Sequence, residues 1–210
     1  MEKTFVALCS PSTWWKTTLA DMLKERDNYW TPEHFTTRDR RAWEEVKSWY
    51  THISEEDFIS NIKNWKINIF TVFNWNLYWY NANSSSSEKV IFVIEPKGIA
   101  HLERYCTENK IKLVSIFIGV DDATRKKRFL KREWNLDSYY ERKITDDYIS
   151  TLWPKYCDNI IYSSGWPERM YEKLKTIIQN EERWSLIHKL RKVWKKTSFQ
   201  IKDTLLTNNK

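Results

Sequence analysis

The sequence predicts an α/β fold in which helices cover both faces of a parallel sheet. Short and almost wholly apolar runs alternate with amphipathic segments along most of the chain. The apolar runs lack the in–out alternation of a sheet with one solvated face, so they are typical of buried parallel strands. The length of 210 residues, with 41% hydrophobic and 30% charged residues, suits one medium-sized globular domain.

The order of the apolar and amphipathic segments along the chain predicts where the individual strands and helices lie. The first strand is expected where the run TFVALC ends at a turn, and another where KVIFVIE ends at Glu95. The expected strands are 4–9, 67–73, 89–95, 112–118 and 158–164, and the expected helices are 16–26, 98–109, 121–133, 138–151 and 167–179.

The region between the first helix and the second long strand is less regular. Residues 28–53 are polar and aromatic, which predicts loops and short strands. Ser54 to Asp57 has the form of a helix N-terminal capping box, and Phe58, Ile59 and Ile62 are expected to form the apolar face of the helix behind it.

The turn after the first strand carries the first candidate for chemistry, the stretch CSPSTWWKTT. A strand, a turn and then Lys16 and Thr17 at the start of a helix are typical of a phosphate-binding loop. In such loops backbone N–H groups bind the anion, the lysine reaches the β- and γ-phosphates, and the hydroxyl binds Mg²⁺. Glycine is missing at Ser10 and Trp15, so a plain strand–turn–helix is the alternative. The candidate phosphate-binding residues are Ser10, Ser12, Thr13, Trp14, Trp15, Lys16, Thr17 and Thr18.

Five further segments follow in an order that matches one known family. They are TTRDRRAWE at 36–44, NWNLYW at 74–79, IEPKG at 94–98, RFLKR at 128–132 and DNII at 158–161. The first resembles T-T-R-x-P-R-x-G-E of the guanylate kinase family, and the second resembles its G-x-x-Y-G. The others are similar to its I-D-x-Q-G strand end, its R-L-x-x-R lid segment and its last strand. With the loop they make six motifs in register over about residues 3–180.

The resemblance implies a P-loop kinase-type parallel sheet flanked by helices, with an inserted NMP-binding subdomain and a helical lid. The domain would be 1–180, with a core of 1–33 and 88–180, an insert of about 34–87 and a lid of about 133–150. Residues 181–210 would then be a basic C-terminal extension.

The resemblance also implies a reaction, the transfer of the ATP γ-phosphoryl group to GMP, dGMP or a related nucleoside monophosphate, with Mg²⁺. It implies catalytic roles for Lys16, Arg132 and Arg142, and a phosphate contact from Arg128. Thr17, and Glu95 through water, would serve the metal. The residues implied for the acceptor are Arg38, Arg41, Glu44, Tyr50, Tyr78 and Glu95.

Each of these residues also has a purely structural interpretation. Arg38, Arg40 and Arg41 could form a solvated basic loop, and Arg128 and Arg132 lie four residues apart on a lysine-rich helix. Tyr50 and Tyr78 could be core aromatics with a hydrated hydroxyl, and Glu95 could simply end a strand.

Three positions depart from the family at the part of the site that recognises guanine. A family glutamate falls at Ile69, a serine at His34, and a hydroxyl residue at Tyr80. Loss of a buried carboxylate removes a partner for the N–H groups of guanine, so we expect altered or relaxed base choice.

The tryptophan and glycine contents are abnormal, at 13 and 3 residues. A chain of this length would ordinarily contain about 15 glycines. Trp15, Trp43, Trp75 and Trp79 stand where the family has glycine. Our hypothesis is that UGA codons meaning glycine have been translated as tryptophan, in which case tight turns are expected at these positions.

The charge and the cysteine content limit which cellular compartment and which binding partners can be expected. Of the net charge of +7, residues 181–210 contribute +5, from eight Lys and Arg against three Asp and Glu. A solvated basic helix is expected there, and contact with nucleic acid or anionic lipid is the alternative. Three scattered cysteines and the absence of a membrane-length apolar stretch predict a cytoplasmic protein with reduced thiols.

Two other functional classes compete with the enzyme. A catalytically inactive guanylate-kinase-like module that binds a protein typically loses the loop lysine and the lid arginines, whereas Lys16, Arg132 and Arg142 are present. An RNA-binding protein with stacking tryptophans would lose its platforms if the tryptophans are glycines. Nucleotides are therefore the expected partners, nucleic acid and membrane are not, and the sequence leaves the oligomeric state open.

Overall fold

Four parallel strands form the main sheet of the computed structural model, which confirms the predicted α/β fold. The structure describes residues 3–11, 15–40, 50–64, 69–73, 75–82, 87–133, 135–150, 156–162 and 166–184. The strand order is β6–β1–β7–β8, so the first strand lies inside the sheet. The four strands are β1 (Thr4–Cys9), β6 (Lys89–Val93), β7 (Lys112–Gly119) and β8 (Asn159–Tyr162).

The register of the sheet explains why its strands are apolar throughout. Val6 of β1 pairs with Ile91 of β6 on one side and with Val114 of β7 on the other. All six residues of β1 are buried, because both faces of the sheet are covered. The carboxyl ends of β1 and β6 therefore lie side by side, and the predicted phosphate loop and Glu95 follow them.

Helices connect these strands close to the predicted positions. They are α1 (Lys16–Asp27), α3 (Pro96–Glu108), α4 (Asp122–Glu133), α5 (Leu136–Ser150) and α6 (residues 167–184). The α3 helix begins two residues before the predicted start at 98, because Pro96 suits the first turn of a helix. Glu95 is the N-cap of that helix, so it lies just beyond the end of β6 at Val93.

A second sheet of four strands occupies the predicted insert. Its order is β3–β2–β5–β4, and β2 and β3 are parallel whereas the other two pairs are antiparallel. The strands are β2 (His34–Thr36), β3 (Tyr50–His52), β4 (Ile69–Phe73) and β5 (Asn76–Tyr80).

Helix α2 (Glu55–Lys63) has the predicted cap but not the full predicted apolar face. The Ser54 hydroxyl accepts a hydrogen bond from the Asp57 N–H at 3.0 Å. Phe58 is buried, whereas Ile59 and Ile62 are largely exposed. The prediction was therefore wrong for the two isoleucines, since the short helix buries one side chain of the three.

The chain divides into two compact units, Met1–Tyr171 and Glu172–Lys210. The first contains both sheets and all residues discussed below. In the second, Leu174 and Ile178 on α6 are buried. Among the helices that the structure describes, none combines the length and the apolar character needed to cross a membrane.

Candidate active site

The first cluster of site residues surrounds the end of β1. Lys16, in the first turn of α1, donates a hydrogen bond from Nζ to the Ser10 carbonyl at 2.7 Å. Ser10 is fully buried, and Thr17 and Thr18 on the same turn are exposed to solvent. The ammonium group and two hydroxyls are thus presented at the N-terminus of a twelve-residue helix, where the helix dipole favours an anion.

Glu95 lies beside this lysine, although 79 residues separate them in sequence. Its Oε2 atom is buried and has no hydrogen-bond partner among the described residues. Burial raises the pKa of Glu95; Lys16 and Arg142 lower it in part, and Asp146 raises it further. Two cations and two carboxylates therefore interact within one small region.

Arg142 and Asp146 reach this region from α5, the helix of the predicted lid. They lie one helical turn apart, so both can face the same side of the helix. Asp146 is buried. The sequence showed this segment as an evenly polar helix, and nothing in its pattern singled out Asp146 as a neighbour of Glu95.

Arg128 is placed near the loop by a contact with an aromatic ring. Its guanidinium carbon lies 4.5 Å from the centre of the Trp15 ring, which is within the range of a cation–π contact. Trp15 is the N-cap residue of α1 and has φ of −60°. Arg128, which is predicted to contact phosphate, therefore lies close to the predicted loop in space, against the indole of Trp15.

The second cluster lies on the second sheet and contains Arg38, Tyr50 and Tyr78. The guanidinium carbon of Arg38 lies 5.9 Å from the centre of the Tyr50 ring. The rings of Tyr50 and Tyr78 meet edge to face at 5.8 Å. Arg38, Tyr50 and Tyr78 are three of the residues predicted to bind the acceptor. They are neighbours in the structure, although they come from three parts of the sequence.

Two threonines fix the backbone that carries Arg38. The Thr36 hydroxyl donates to the Leu77 carbonyl at 2.9 Å and accepts from the Arg38 N–H at 3.1 Å. The Thr37 hydroxyl accepts from the Leu77 N–H at 3.0 Å. A ring nitrogen of His52 lies 2.6 Å from the Arg38 carbonyl oxygen, which makes Nδ1–H the donor. These positioning roles were not predicted, although both threonines stand in the T-T-R string.

The two clusters meet around Tyr80. The pKa of the Tyr80 hydroxyl is raised mainly by burial and further by Tyr50, Glu95, Tyr78 and Cys9. Tyr80 is therefore within electrostatic reach of Tyr50 and Tyr78 and of the carboxylate of Glu95. The predicted phosphate loop and the predicted acceptor residues are therefore near each other in the first unit of the chain.

Several predicted site residues lie outside the described part of the chain. They are Ser12, Thr13, Trp14, Arg41 and Glu44, together with the side chain of Arg132. Their roles stay predictions.

Trp75 and Trp79, two of the four tryptophans at family glycine positions, differ in backbone conformation and in burial. Trp75 has φ of 63°, a conformation that favours glycine, and its side chain is 96% exposed. Trp79 lies inside β5, where it is buried and stacks on Phe35 at 4.3 Å between ring centres. The expected tight turn is thus present at Trp75 and wrong for Trp79, because the latter has a strand conformation. Trp43 lies outside the described residues.

Comparison with solved structures relates this fold to a known class of kinases. The guanylate kinase from Anaplasma phagocytophilum superposes with a TM-score of 0.66 at 20% identity, over 86% of each chain. An uncharacterized protein from Eubacterium ventriosum ATCC 27560 gives a TM-score of 0.46 at 17% identity, over 85% of this chain and 99% of that one. A gluconokinase from Sinorhizobium meliloti 1021 gives 0.47 at 8% identity, over 88% and 97%.

No protein-family model matches the sequence. No curated protein matches it either. The likeness to the first structure is thus a likeness of fold, and it identifies a P-loop kinase-type α/β fold.

Proposed function

We propose that this protein is an ATP-dependent nucleoside monophosphate kinase that transfers the γ-phosphoryl group of ATP to the phosphate of GMP, dGMP or a related nucleotide. The observation that carries the proposal is the meeting of two clusters around Glu95 and Tyr80. One cluster has the composition of a donor-phosphate site, and the other has the composition of an acceptor-phosphate site.

The donor side fits the triphosphate of ATP with its Mg²⁺. Lys16 supplies a cation at the start of α1, and the exposed Thr17 supplies a hydroxyl that suits a metal ligand. The buried and unpaired Oε2 atom of Glu95 suits an ordered water of the metal shell. When bound, Mg²⁺ would neutralise part of the charge on the phosphates.

The acceptor side fits a phosphate monoester. Arg38 offers a planar guanidinium for bidentate binding, and the hydroxyls of Tyr50 and Tyr78 add two donors. Because a phosphate monoester is already an oxyanion, the reaction needs alignment and charge stabilisation more than a strong base. An oxygen of the acceptor attacks the γ-phosphorus, the bond to the bridging β-oxygen breaks, and ADP leaves with that electron pair.

Arg142 on α5 would stabilise charge on the transferred group, with Arg132 as the second predicted lid arginine. The electrostatic interaction of Arg142 with Glu95 supports this role, because Glu95 also interacts with Lys16. Closure of a lid over the site would exclude water, so that transfer to the acceptor wins over hydrolysis. We further propose a cytoplasmic location, with which the three free cysteines are compatible.

An assay of ADP formation with each nucleoside monophosphate tests the proposal. The chain is prepared as printed and with glycine at 15, 43, 75 and 79, because the Trp15 indole is expected to crowd the loop. We expect turnover in the glycine form, and a loss of at least about 100-fold on Lys16→Met with the fold intact. Tight GMP binding without turnover would instead indicate an inactive binding module, and activity that survives Lys16→Met would disprove the loop assignment.

A further inference from the structure

We infer that Asp146 is a positioning residue for the proposed transfer step, and that it holds the side chain of Arg142 on the side of α5 that faces Glu95. The inference rests on the proposed function, in which Arg142 stabilises charge on the transferred group. It concerns a carboxylate that no sequence motif singled out and that is only 2% exposed in the folded protein.

Helix geometry places Asp146 at the border between two sides of α5. Successive residues lie about 100° apart around a helix, so Asp146 is about 40° from Arg142 and about 20° from Tyr139. Tyr139 is on the side that packs against α4, because its ring meets the Phe129 ring at 5.5 Å. Asp146 can therefore interact both with α4 and with the side chain of Arg142.

A buried arginine of α4 holds Asp146 from one direction. Arg125 is 6% exposed, and its Nη1 atom lies 4.0 Å from Oδ2 of Asp146. The shorter bonds of Arg125, at 2.9 and 2.8 Å, go from Nη2 to Asp122 and Asp147. Arg125 thus fixes the place of Asp146 through an ion pair at the outer limit of contact. A carboxylate so deeply buried needs further compensation from cations near it.

The cations on the other side of Asp146 belong to the proposed active site. Arg142 is partly buried and lies one helical turn before Asp146, the spacing at which side chains on a helix are neighbours. Both residues act on Glu95, since Arg142 lowers its pKa in part and Asp146 raises it. Lys16 lowers that pKa as well. The carboxylate of Asp146 and the guanidinium of Arg142 therefore reach the same small region from one side of α5.

The charge of Asp146 suits a partner for the arginine and not a ligand for the nucleotide. A carboxylate repels phosphates, so Asp146 gains nothing from contact with ATP. An arginine side chain has many rotamers, and a fixed anion beside it reduces the number of orientations that its guanidinium adopts. Phosphoryl transfer depends on alignment and charge stabilisation, so an error of about 1 Å in the place of the guanidinium is costly. Loss of the Asp146 charge should therefore slow transfer without weakening the binding of ATP.

Asp147 provides a matched control for this inference. It is the same residue type at the next position, and it also contacts Arg125. It lies about 140° from Arg142 around the helix, and its side chain is 48% exposed. Substitution of either aspartate removes one carboxylate from Arg125, so a purely structural role predicts similar losses for both.

The test compares Asp146→Asn with Asp147→Asn in the glycine form of the full chain, by steady-state kinetics and by calorimetric titration with ATP. We expect Asp146→Asn to lower kcat by about 10- to 100-fold, with KM and Kd for ATP raised by no more than about threefold. Asp147→Asn should leave kcat within about threefold. Equal kcat values for the two variants, or a loss in Asp146→Asn that arises only from weaker ATP binding, would overturn the inference and leave the proposed function standing. Absence of turnover with every acceptor before any aspartate is changed would overturn both.

A double-mutant cycle tests whether Asp146 acts through Arg142. In an Arg142→Met background, Asp146→Asn should change kcat by less than about threefold, because the group that it positions is gone. An undiminished loss in that background would overturn the inference. If Asp146→Asn fails to fold, Asp146→Glu replaces it, since it keeps the charge and moves the carboxylate by one methylene group. That variant should lower kcat by about tenfold at unchanged KM for ATP, and an unchanged kcat would overturn the inference.

Discussion

At the scale of single residues, two groups are held in the folded protein at a cost in free energy. Glu95 keeps a buried oxygen unpaired beside two cations, and Trp75 has a backbone conformation that suits glycine. An unpaired buried oxygen and a left-handed backbone conformation each lower the stability of the folded protein. Each therefore calls for an explanation, either from function or from the identity of the residue. Under the proposed function the Glu95 oxygen would pair with the water shell of Mg²⁺, and the backbone of Trp75 fits the hypothesis of a misassigned glycine.

Trp75→Gly is expected to raise the free energy of unfolding by about 1 kcal/mol, because it removes left-handed strain and little packing. Trp79→Gly is the matched variant on the same hairpin. It removes a buried ring stacked on Phe35 and is expected to cost about 3 kcal/mol or more. Urea unfolding measures both, and a destabilised Trp75→Gly would contradict the assignment of strain.

Glu95→Gln is expected to stabilise the unliganded protein at neutral pH while it lowers activity. Burial raises the pKa of Glu95, so the folded state binds its proton more tightly than the unfolded chain. Its contribution to stability is therefore greatest in acid and is lost as pH rises through the folded pKa. The advantage of the variant should be largest at pH 7 and shrink toward pH 4.

Unfolding in urea across that pH range measures the difference. The control is Glu108→Gln, an exposed change at the other end of α3, which should stay within about 0.5 kcal/mol of the original at each pH. An advantage of Glu95→Gln that grows in acid would refute the assignment.

At the scale of elements, a cluster of charges joins α4 to α5 and so sets where Arg142 lies. Arg125 is 6% exposed and donates from one guanidinium nitrogen to Asp122 at 2.9 Å and to Asp147 at 2.8 Å. The Tyr139 hydroxyl donates to the same Asp122 oxygen at 2.6 Å. Burial raises the pKa of Asp122 and of Asp147, but hydrogen bonds from Lys143 and Arg125 lower both pKa values overall, and Tyr139 further lowers that of Asp122.

Arg125→Met is expected to lower the free energy of unfolding by about 2 kcal/mol, because it removes the guanidinium near the buried Asp146 and leaves Lys143 alone to pair with Asp122 and Asp147. The value is below that of a fully buried pair because Asp122 and Asp147 are about half exposed. Lys127→Met on the exposed side of α4 is the control, expected within about 0.5 kcal/mol. Equal stability of the two variants in urea would show that the cluster does not join the helices.

The sequence predicted each strand of the main sheet, whereas in the second sheet it predicted β4 and short strands somewhere within 28–53, and it missed β5. Buried parallel strands such as β1 and β7 are six and eight residues long and uniformly apolar, so their pattern is unmistakable. By contrast, β2 and β3 have three residues each, too few to show a period of two. Their pairing depends on contacts between distant segments, which no local pattern records.

At the scale of the whole molecule, the residues of the proposed site come from both sheets and their flanking helices, including α5. The resemblance to a known family was enough to name Lys16, Glu95 and Arg142 as site residues, and the structure brings them within electrostatic reach of one another. The contact among Ile69, His34 and Tyr80 was not predictable, because the three residues are separated in sequence and become neighbours through strand register.

The central claim is that the molecule moves a phosphoryl group from ATP to a phosphate acceptor. Phosphorus NMR of a reaction containing the glycine form, Mg²⁺, ATP and GMP tests it most directly, because each product has its own signals. We predict that ADP and GDP appear in equal amounts, with little inorganic phosphate. Formation of inorganic phosphate in place of GDP, or an unchanged spectrum, with GMP and with the other acceptors would contradict the account.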